Sequence, residues 1–182
     1  LPICFDFRQT RATYKNMSSI DAGKQEIVQF VRNNFPAGAT CLDVGACDGK
    51  WARLLGDYLT MDAVEIFNGN ISAHRLWEKY RHVYGNDIYG FEYEPYDLII
   101  FGDVLEHMSV DRAQAVLEYA RPRCKDMIIG VPFLWPQGEL YGNPYEVHIQ
   151  PDLTETVFME RYPGFRLLLK PVRNYAYYHK ER

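Results

Sequence analysis

The sequence predicts an α/β fold, a mostly parallel sheet covered by helices on both faces. Three observations carry that expectation. Apolar runs of β type alternate with stretches of helical periodicity, in the order that parallel crossovers require. The runs themselves, such as LII at 98–100 and MII at 127–129, are continuous rather than alternating, as strands buried on both faces read. The 182 residues suit a single domain with a full core.

Taken in order, Ser18 or Ser19 is placed to cap a first helix, with Ile20, Ile27, Phe30 and Val31 near one face and Pro36 beyond its end. The first strand is expected from about Ala39 to Val44. A turn bearing glycines follows, and Trp51, Leu54, Leu55 and Tyr58 mark a helix leading to strand two at Ala63–Phe67. A helix over Ser72–Tyr80 precedes strand three near Val83, and Tyr96–Phe101 is strand four. Ser109 caps the next helix, in which Ala113, Val116, Leu117 and Ala120 recur at helical spacing, and Met127–Val131 is strand five. Pro132–Pro151 is a long loop, and loops of that length in a compact domain are usually lids or binding loops. Asp152 with Glu155 three residues on has the form of a capping box, opening a helix to about Tyr162. Phe165–Leu169 and Tyr175–Tyr178, joined by KPVRN, read as a closing antiparallel hairpin.

Composition excludes several classes. A net charge of −4 and a pI near 5.7, with no basic stripe, argue against a nucleic-acid partner. Cys4, Cys41, Cys47 and Cys124 show no CxxC spacing, so neither a zinc site nor a redox pair is expected, and free thiols point to a reducing cytoplasm. No run approaches the eighteen apolar residues of a membrane span, and no basic-then-apolar signal opens the chain. Residues 1–16 are read as an N-terminal segment or lid and 17–182 as one domain.

The stretch from Thr40 to Trp51, TCLDVGACDGKW, is the most informative in the chain. An apolar strand delivers Asp43, Gly45 and Gly49 into a tight turn that opens a helix, and glycines there let the backbone approach a ligand that a Cβ would exclude. That architecture binds an adenosine cofactor. A dinucleotide fingerprint needs G-x-G-x-x-G, but Cys47 stands at the middle glycine and Lys50 at the last. Twenty-two residues after Asp43, the run MDAVEIF ends a second strand with Glu65, where adenosine-binding folds place the carboxylate that accepts both ribose hydroxyls.

These residues, together with VYGNDI and YDLIIFGDVLEHM, resemble the class I S-adenosylmethionine (SAM) dependent methyltransferases, over roughly residues 38 to 131. The resemblance implies a Rossmann-like, seven-stranded, mostly parallel sheet ending in a reversed strand. It implies SAM as cofactor. It implies that Asp43, Gly45, Ala46 and Gly49 form the cofactor turn, that Glu65 with adjoining Ile66 holds the ribose, and that Asp87 and Ile88 hold the adenine. It places Gly102 and Asp103 at the methionine half, mainly through backbone groups. The implied activity is methyl transfer to an oxygen or nitrogen of a small molecule, a saccharide or natural-product intermediate among the options, with no membrane involved.

Two histidines are candidates for the base. His107 follows Glu106, and the two are expected either to pin the turn and cap the following helix or to take part in the chemistry. GNPYEVHIQP in the lid carries Glu146 and His148 two apart, so an extended segment points both the same way. This loop is similar to loops of small-molecule methyltransferases. An alcohol acceptor must lose its proton, and a neutral imidazole has a suitable pKa.

No resident metal is expected, although Asp103, Glu106, His107 and His148 resemble the Glu-x-x-Glu-His plus His ligand set of small-RNA 2′-O-methyltransferases. The first Glu is Asp here, and the acidic composition does not favour RNA. A non-catalytic SAM-binding subunit would keep Glu65 and Asp87 yet turn nothing over. A nicotinamide oxidoreductase would share the strand, the turn and the ribose acid, but the missing second and third glycines count against it.

Overall fold

The computed structural model describes residues 20–90, 92–140 and 142–180. The segment 1–16, Ser18 and Ser19 therefore lie outside the described residues, and the first helix begins later than expected, so that Gly23 rather than a serine precedes it and Ile20 lies outside it. Helix α1, Lys24–Asn34, opens on Gly23, whose φ of 80° turns the chain inward, and buries Lys24, Ile27 and Val31 on one face. The alternation expected from the sequence then follows: β1 Thr40–Val44, α2 Lys50–Leu55, β2 Thr60–Val64, α3 Asn68–Ala73, β3 Val83–Tyr84 and β4 Tyr96–Gly102. After these come α4 Val110–Ala120, β5 Cys124–Pro132, α5 Glu155–Arg161, β6 Phe165–Val172 and β7 Tyr175–Lys180.

The seven strands form one sheet in the order β3-β2-β1-β4-β5-β7-β6. β7 alone runs against its neighbours, pairing antiparallel with β5 and with β6. The strand order reverses at β1, which is flanked by β2 and β4 in parallel register. A ligand crevice opens outside the carboxyl ends of strands at such a reversal.

Side-chain alternation splits the core between the two faces. Val44, Ile99, Phe101, Met127 and Ile129 pack under α4 and α5 against Val116, Leu117 and Phe158. Cys41, Met61, Leu98, Ile100 and Ile128 pack under α1 and α2 against Ile27, Val31, Trp51 and Leu55. Each fully buried side chain of this kind contributes about 1.5–3 kcal/mol, so burial on both faces is the main support of the sheet.

Four local expectations need correction. Strand two runs over Thr60–Val64 rather than 63–67, because its ladder with β1 ends at the Val44–Val64 pair and leaves Glu65 just beyond it. The helix expected over 72–80 is two pieces: α3 stops at Ala73, Arg75 takes a left-handed φ of 50°, and a 3₁₀ turn over Leu76–Glu78 buries Leu76 while leaving Trp77 outside. Thr154, not Asp152, caps α5; its Oγ1 accepts from Val157 N at 3.2 Å, and Asp152 pairs with Arg161 instead. β6 continues through Pro171 to Val172, since it is the sheet edge, where a missing N–H leaves no ladder bond unmade. Ser109 caps α4 as expected, accepting from Arg112 N at 3.3 Å.

Candidate cofactor and acceptor site

A cavity of about 660 Å³ opens at the carboxyl ends of β1, β2 and β4 and under the loop after β5, within the usual range for small-molecule sites. Its floor is the turn after β1. Gly45 holds a φ of 70°, and a Cβ there would come within 2.7 Å of Val104 Cγ2, so only glycine fits. Its N–H donates to Val64 O at 2.8 Å, which ties the turn to β2. Ala46, Cys47 and Asp48 complete the lining on this side.

Glu65 faces this turn. It is 4% exposed, and its two oxygens accept from Cys47 N and Phe67 N, each at 2.8 Å. Burial raises its pKa, and those two backbone bonds oppose the rise. Ile66 beside it is partly exposed at the cavity edge. Further along, Ile88 is a buried apolar wall, and Asp87 lines the cavity with its Oδ2 accepting from Arg112 at 2.6 Å and its Oδ1 from Tyr89 N at 2.9 Å.

Two residues of the expected cofactor set are not on the cavity wall. Asp43 shares the face of Cys41, so its carboxyl is buried beneath the turn and accepts from Tyr80 OH at 2.5 Å. Burial pushes it up to about 7, against the Tyr80 bond and the charge of Lys24. Gly49 ends the turn as the residue preceding α2, with a φ of 74°, packed against Lys79. Both shape the turn from behind; Gly45, Ala46, Glu65, Ile66, Asp87, Ile88, Gly102 and Asp103 line the cavity.

At the end of β4, Gly102 lies against Trp51, whose Nε1 would sit 2.6 Å from an added Cβ. Asp103 takes a left-handed φ of 57°, and its N–H donates to Gly130 O at 2.9 Å. Lys24 stands behind it, 2% exposed, with Nζ 4.6 Å from the Trp51 ring centroid. Burial lowers the Lys24 pKa, and the charge of Asp103 resists that most among its neighbours. The sequence reading missed Lys24. Its signal was present: Lys24, Ile27 and Val31 recur at i, i+3 and i+7, which places a lysine on the buried stripe.

The loop after β5 brings the two candidate histidines together across 41 positions. Ile149 N and Gln150 N both donate to Glu106 O, at 2.8 and 3.1 Å. The Gln150 amide donates to Leu105 O and Met108 O, at 2.8 and 3.0 Å. The returning loop is thereby fastened to the turn after β4. His107 and His148 meet with ring centroids 4.7 Å apart, edge to face. Each directs Nδ1 at a backbone carbonyl, His107 at Val147 O (3.3 Å) and His148 at Trp135 O (2.6 Å). A carbonyl only accepts, so each Nδ1 carries the hydrogen and each Nε2 keeps a lone pair. Burial pushes His107 down to about 4, with the neighbouring His148 adding to the effect, and burial likewise lowers His148.

Glu106 is 1% exposed, and neither of its side-chain oxygens has a hydrogen-bond partner. Burial, then the charge of Asp103, drives its pKa well above the carboxylate range. It does not cap α4, a task that Ser109 performs. Glu146 ends a 3₁₀ turn rather than an extended segment; it accepts from Asn143 Nδ2 at 3.1 Å and still lines the cavity beside His148. Among the described residues, Glu106, His107 and His148 form a cluster able to ligate a metal, each offering one atom within 4.8 Å of the others.

No protein-family model and no curated protein matches the sequence. Solved structures do. A S-adenosylmethionine-dependent methyltransferase from Clostridium acetobutylicum superposes with a TM-score of 0.70 at 12% identity, over 95% of this chain and 98% of that one. The magnesium protoporphyrin IX methyltransferase of Synechocystis, solved with bound S-adenosylhomocysteine (SAH), gives 0.65 at 16% identity, over 97% and 94%. The small RNA methyltransferase HEN1 gives 0.62 at 15% identity, over 88% of this chain but 25% of that chain. Against two O-methyltransferase structures, from Nostoc punctiforme and Burkholderia thailandensis, the chain spans only 55% and 56% of their length. The fold is that of the class I SAM-dependent methyltransferases, as its strand order and reversed β7 already indicate.

Proposed function

We propose that this chain is a SAM-dependent methyltransferase acting on an oxygen, or a nitrogen, of a small molecule, with saccharides and natural-product intermediates within that class. The observation that carries the reading is Glu65, buried at the end of β2 and facing the open turn at Gly45. A carboxylate so placed accepts the two ribose hydroxyls of an adenosine cofactor. Charge selects among such cofactors. Asp48, Glu65, Asp87, Asp103 and Glu146 line the cavity, and the two described cations in its wall, Lys50 and Arg112, are paired with Asp21 and Asp87. A pyrophosphate meets repulsion there, whereas a sulfonium meets attraction.

Bound there, SAM supplies an activated methyl group for in-line displacement by the acceptor. The chain supplies alignment and a proton acceptor. His148 Nε2 is the base: its lone pair is fixed by the Nδ1 bond to Trp135 O, and its neutral form is favoured by burial. His107, neutral and edge-on to it, holds the ring in place.

A second reading of the same pocket is favoured by the unpartnered Glu106 carboxyl. Glu106, His107 and His148 would hold a divalent cation, which lowers the pKa of an acceptor hydroxyl. A nucleic-acid acceptor is not adopted in either reading, because the lining is acidic. No helix among the described residues is long and apolar enough to cross a membrane, and Cys41, Cys47 and Cys124 are free thiols, which fits a reducing cytoplasm.

The test is transfer of label from methyl-labelled SAM in the presence of separated small-molecule and RNA fractions. Label in the small-molecule fraction supports the reading, and label confined to RNA overturns it.

A further inference from the structure

The mouth of the cavity is apolar where its depth is acidic. Trp135, Tyr145 and Ile149 are 50%, 48% and 57% exposed, and all three line the same cavity. Single exposed apolar side chains are ordinary, but three at one opening mark a surface that a ligand covers. These residues are not loosely held. Trp135 O accepts the His148 ring, Ile149 N donates to Glu106 O, and Tyr145 N donates to Asn143 Oδ1 at 3.0 Å. A body resting on them therefore lies at a fixed offset from His148 Nε2.

Charge narrows the occupant further. No described cation at this opening is left to receive an anion, since Lys50 and Arg112 are both engaged, while Asp103 and Glu146 lie below. Carboxylate or phosphate groups would be desolvated without compensation. Acidity narrows the reacting group. A phenolic hydroxyl ionises near pH 10, as tyrosine does, within reach of an imidazole base, whereas water ionises near 15.7 and aliphatic hydroxyls resemble water.

We propose that the acceptor is a phenol-type hydroxyl on a flat, uncharged aromatic body, which rests on Trp135, Tyr145 and Ile149 and directs its oxygen at His148, and that anionic acceptors are rejected. The inference rests on the methyltransferase reading and fixes its substrate class. Isothermal titration of the SAH-loaded protein with 2-naphthol, 6-hydroxy-2-naphthoate and methyl β-glucoside tests it. The expected result is that 2-naphthol binds at least about tenfold more tightly than either of the others. Trp135→Ala should weaken 2-naphthol about tenfold, Trp135→Phe should restore most of that loss, and SAH affinity should stay within about twofold in both. Both substitutions are at an exposed rim, and thermal melting verifies their folding. Equal or tighter binding of the naphthoate or the glucoside overturns the proposal, as does no binding of 2-naphthol or its indifference to Trp135→Ala. Failure of SAH itself to bind overturns the methyltransferase reading instead, and with it the inference.

Discussion

Replacing Glu65 with alanine removes an acceptor that faces two ways. Inward, its oxygens receive Cys47 N and Phe67 N at 2.8 Å, tying the turn after β1 to the end of β2. Outward, in the proposed reading, the same carboxylate accepts the ribose hydroxyls. Hydrogen bonds to a charged group contribute about 1.5–3 kcal/mol each, but part of that sum is returned when water fills the vacated volume. The net loss of cofactor affinity should be about 1–3 kcal/mol, or roughly five- to 150-fold in the SAH dissociation constant. The fold should survive with a cost of about 1–3 kcal/mol for two amides left to water, at about 2–4 °C in Tm per kcal/mol for a chain of this size. Glu65→Gln separates the two effects, because it keeps one accepting oxygen and should lose affinity with a smaller fall in Tm. Isothermal titration with SAH, run well below both melting points, is the assay. A Glu65→Ala variant that is folded and binds SAH as tightly as the parent refutes the ribose assignment.

Three further outcomes are expected. His148→Ala should lower turnover on the true acceptor about 10²-fold or more with SAH affinity nearly intact. The parent rate should rise with pH along a limb below the ordinary imidazole value, because burial lowers His148; full turnover in the variant would leave His107 as the remaining candidate. EDTA separates the metal-assisted reading: loss of activity, restored by Mg²⁺ or Mn²⁺, requires a cation at Glu106, His107 and His148, and indifference to EDTA excludes it. Asp43, raised from 3.8 to about 7, keeps its proton in the folded chain over a window in which the unfolded chain has lost it. Its stabilising contribution is therefore complete below about pH 4 and is lost as pH rises through about 7, by at most about 4 kcal/mol. Asp43→Asn should remove that slope, so the urea midpoint of the parent minus that of the variant should rise on acidification from pH 8 to 5; a constant difference contradicts the buried-acid account.

Much of the fold was legible because two-sided burial writes itself into continuous apolar strands, and the turn at Gly45 carries its own backbone demand. Asp43 shows where motif reasoning overreached. Parity with Cys41 along β1 already put its side chain on the face covered by α1 and α2, away from the cavity. The break at Arg75 was hidden because helical spacing cannot show that burying Leu76 requires a left-handed residue before it. Glu106 and His148 were found as motif members, but their relation was not, since the bonds from Ile149 and Gln150 to Glu106 O arise only when the loop folds back. Thr154 was passed over for Asp152 because both precede α5 by capping distances and only the Arg161 partnership decides between them.

The central claim is that an acidic cavity with Glu65 at its floor takes a sulfonium nucleoside and not a dinucleotide. Parallel isothermal titrations with SAM, SAH and NAD test it most directly. Saturable binding of SAM and SAH, abolished or weakened by Glu65→Ala, is expected, with no measurable heat from NAD. Tight NAD binding with SAM and SAH silent would contradict it.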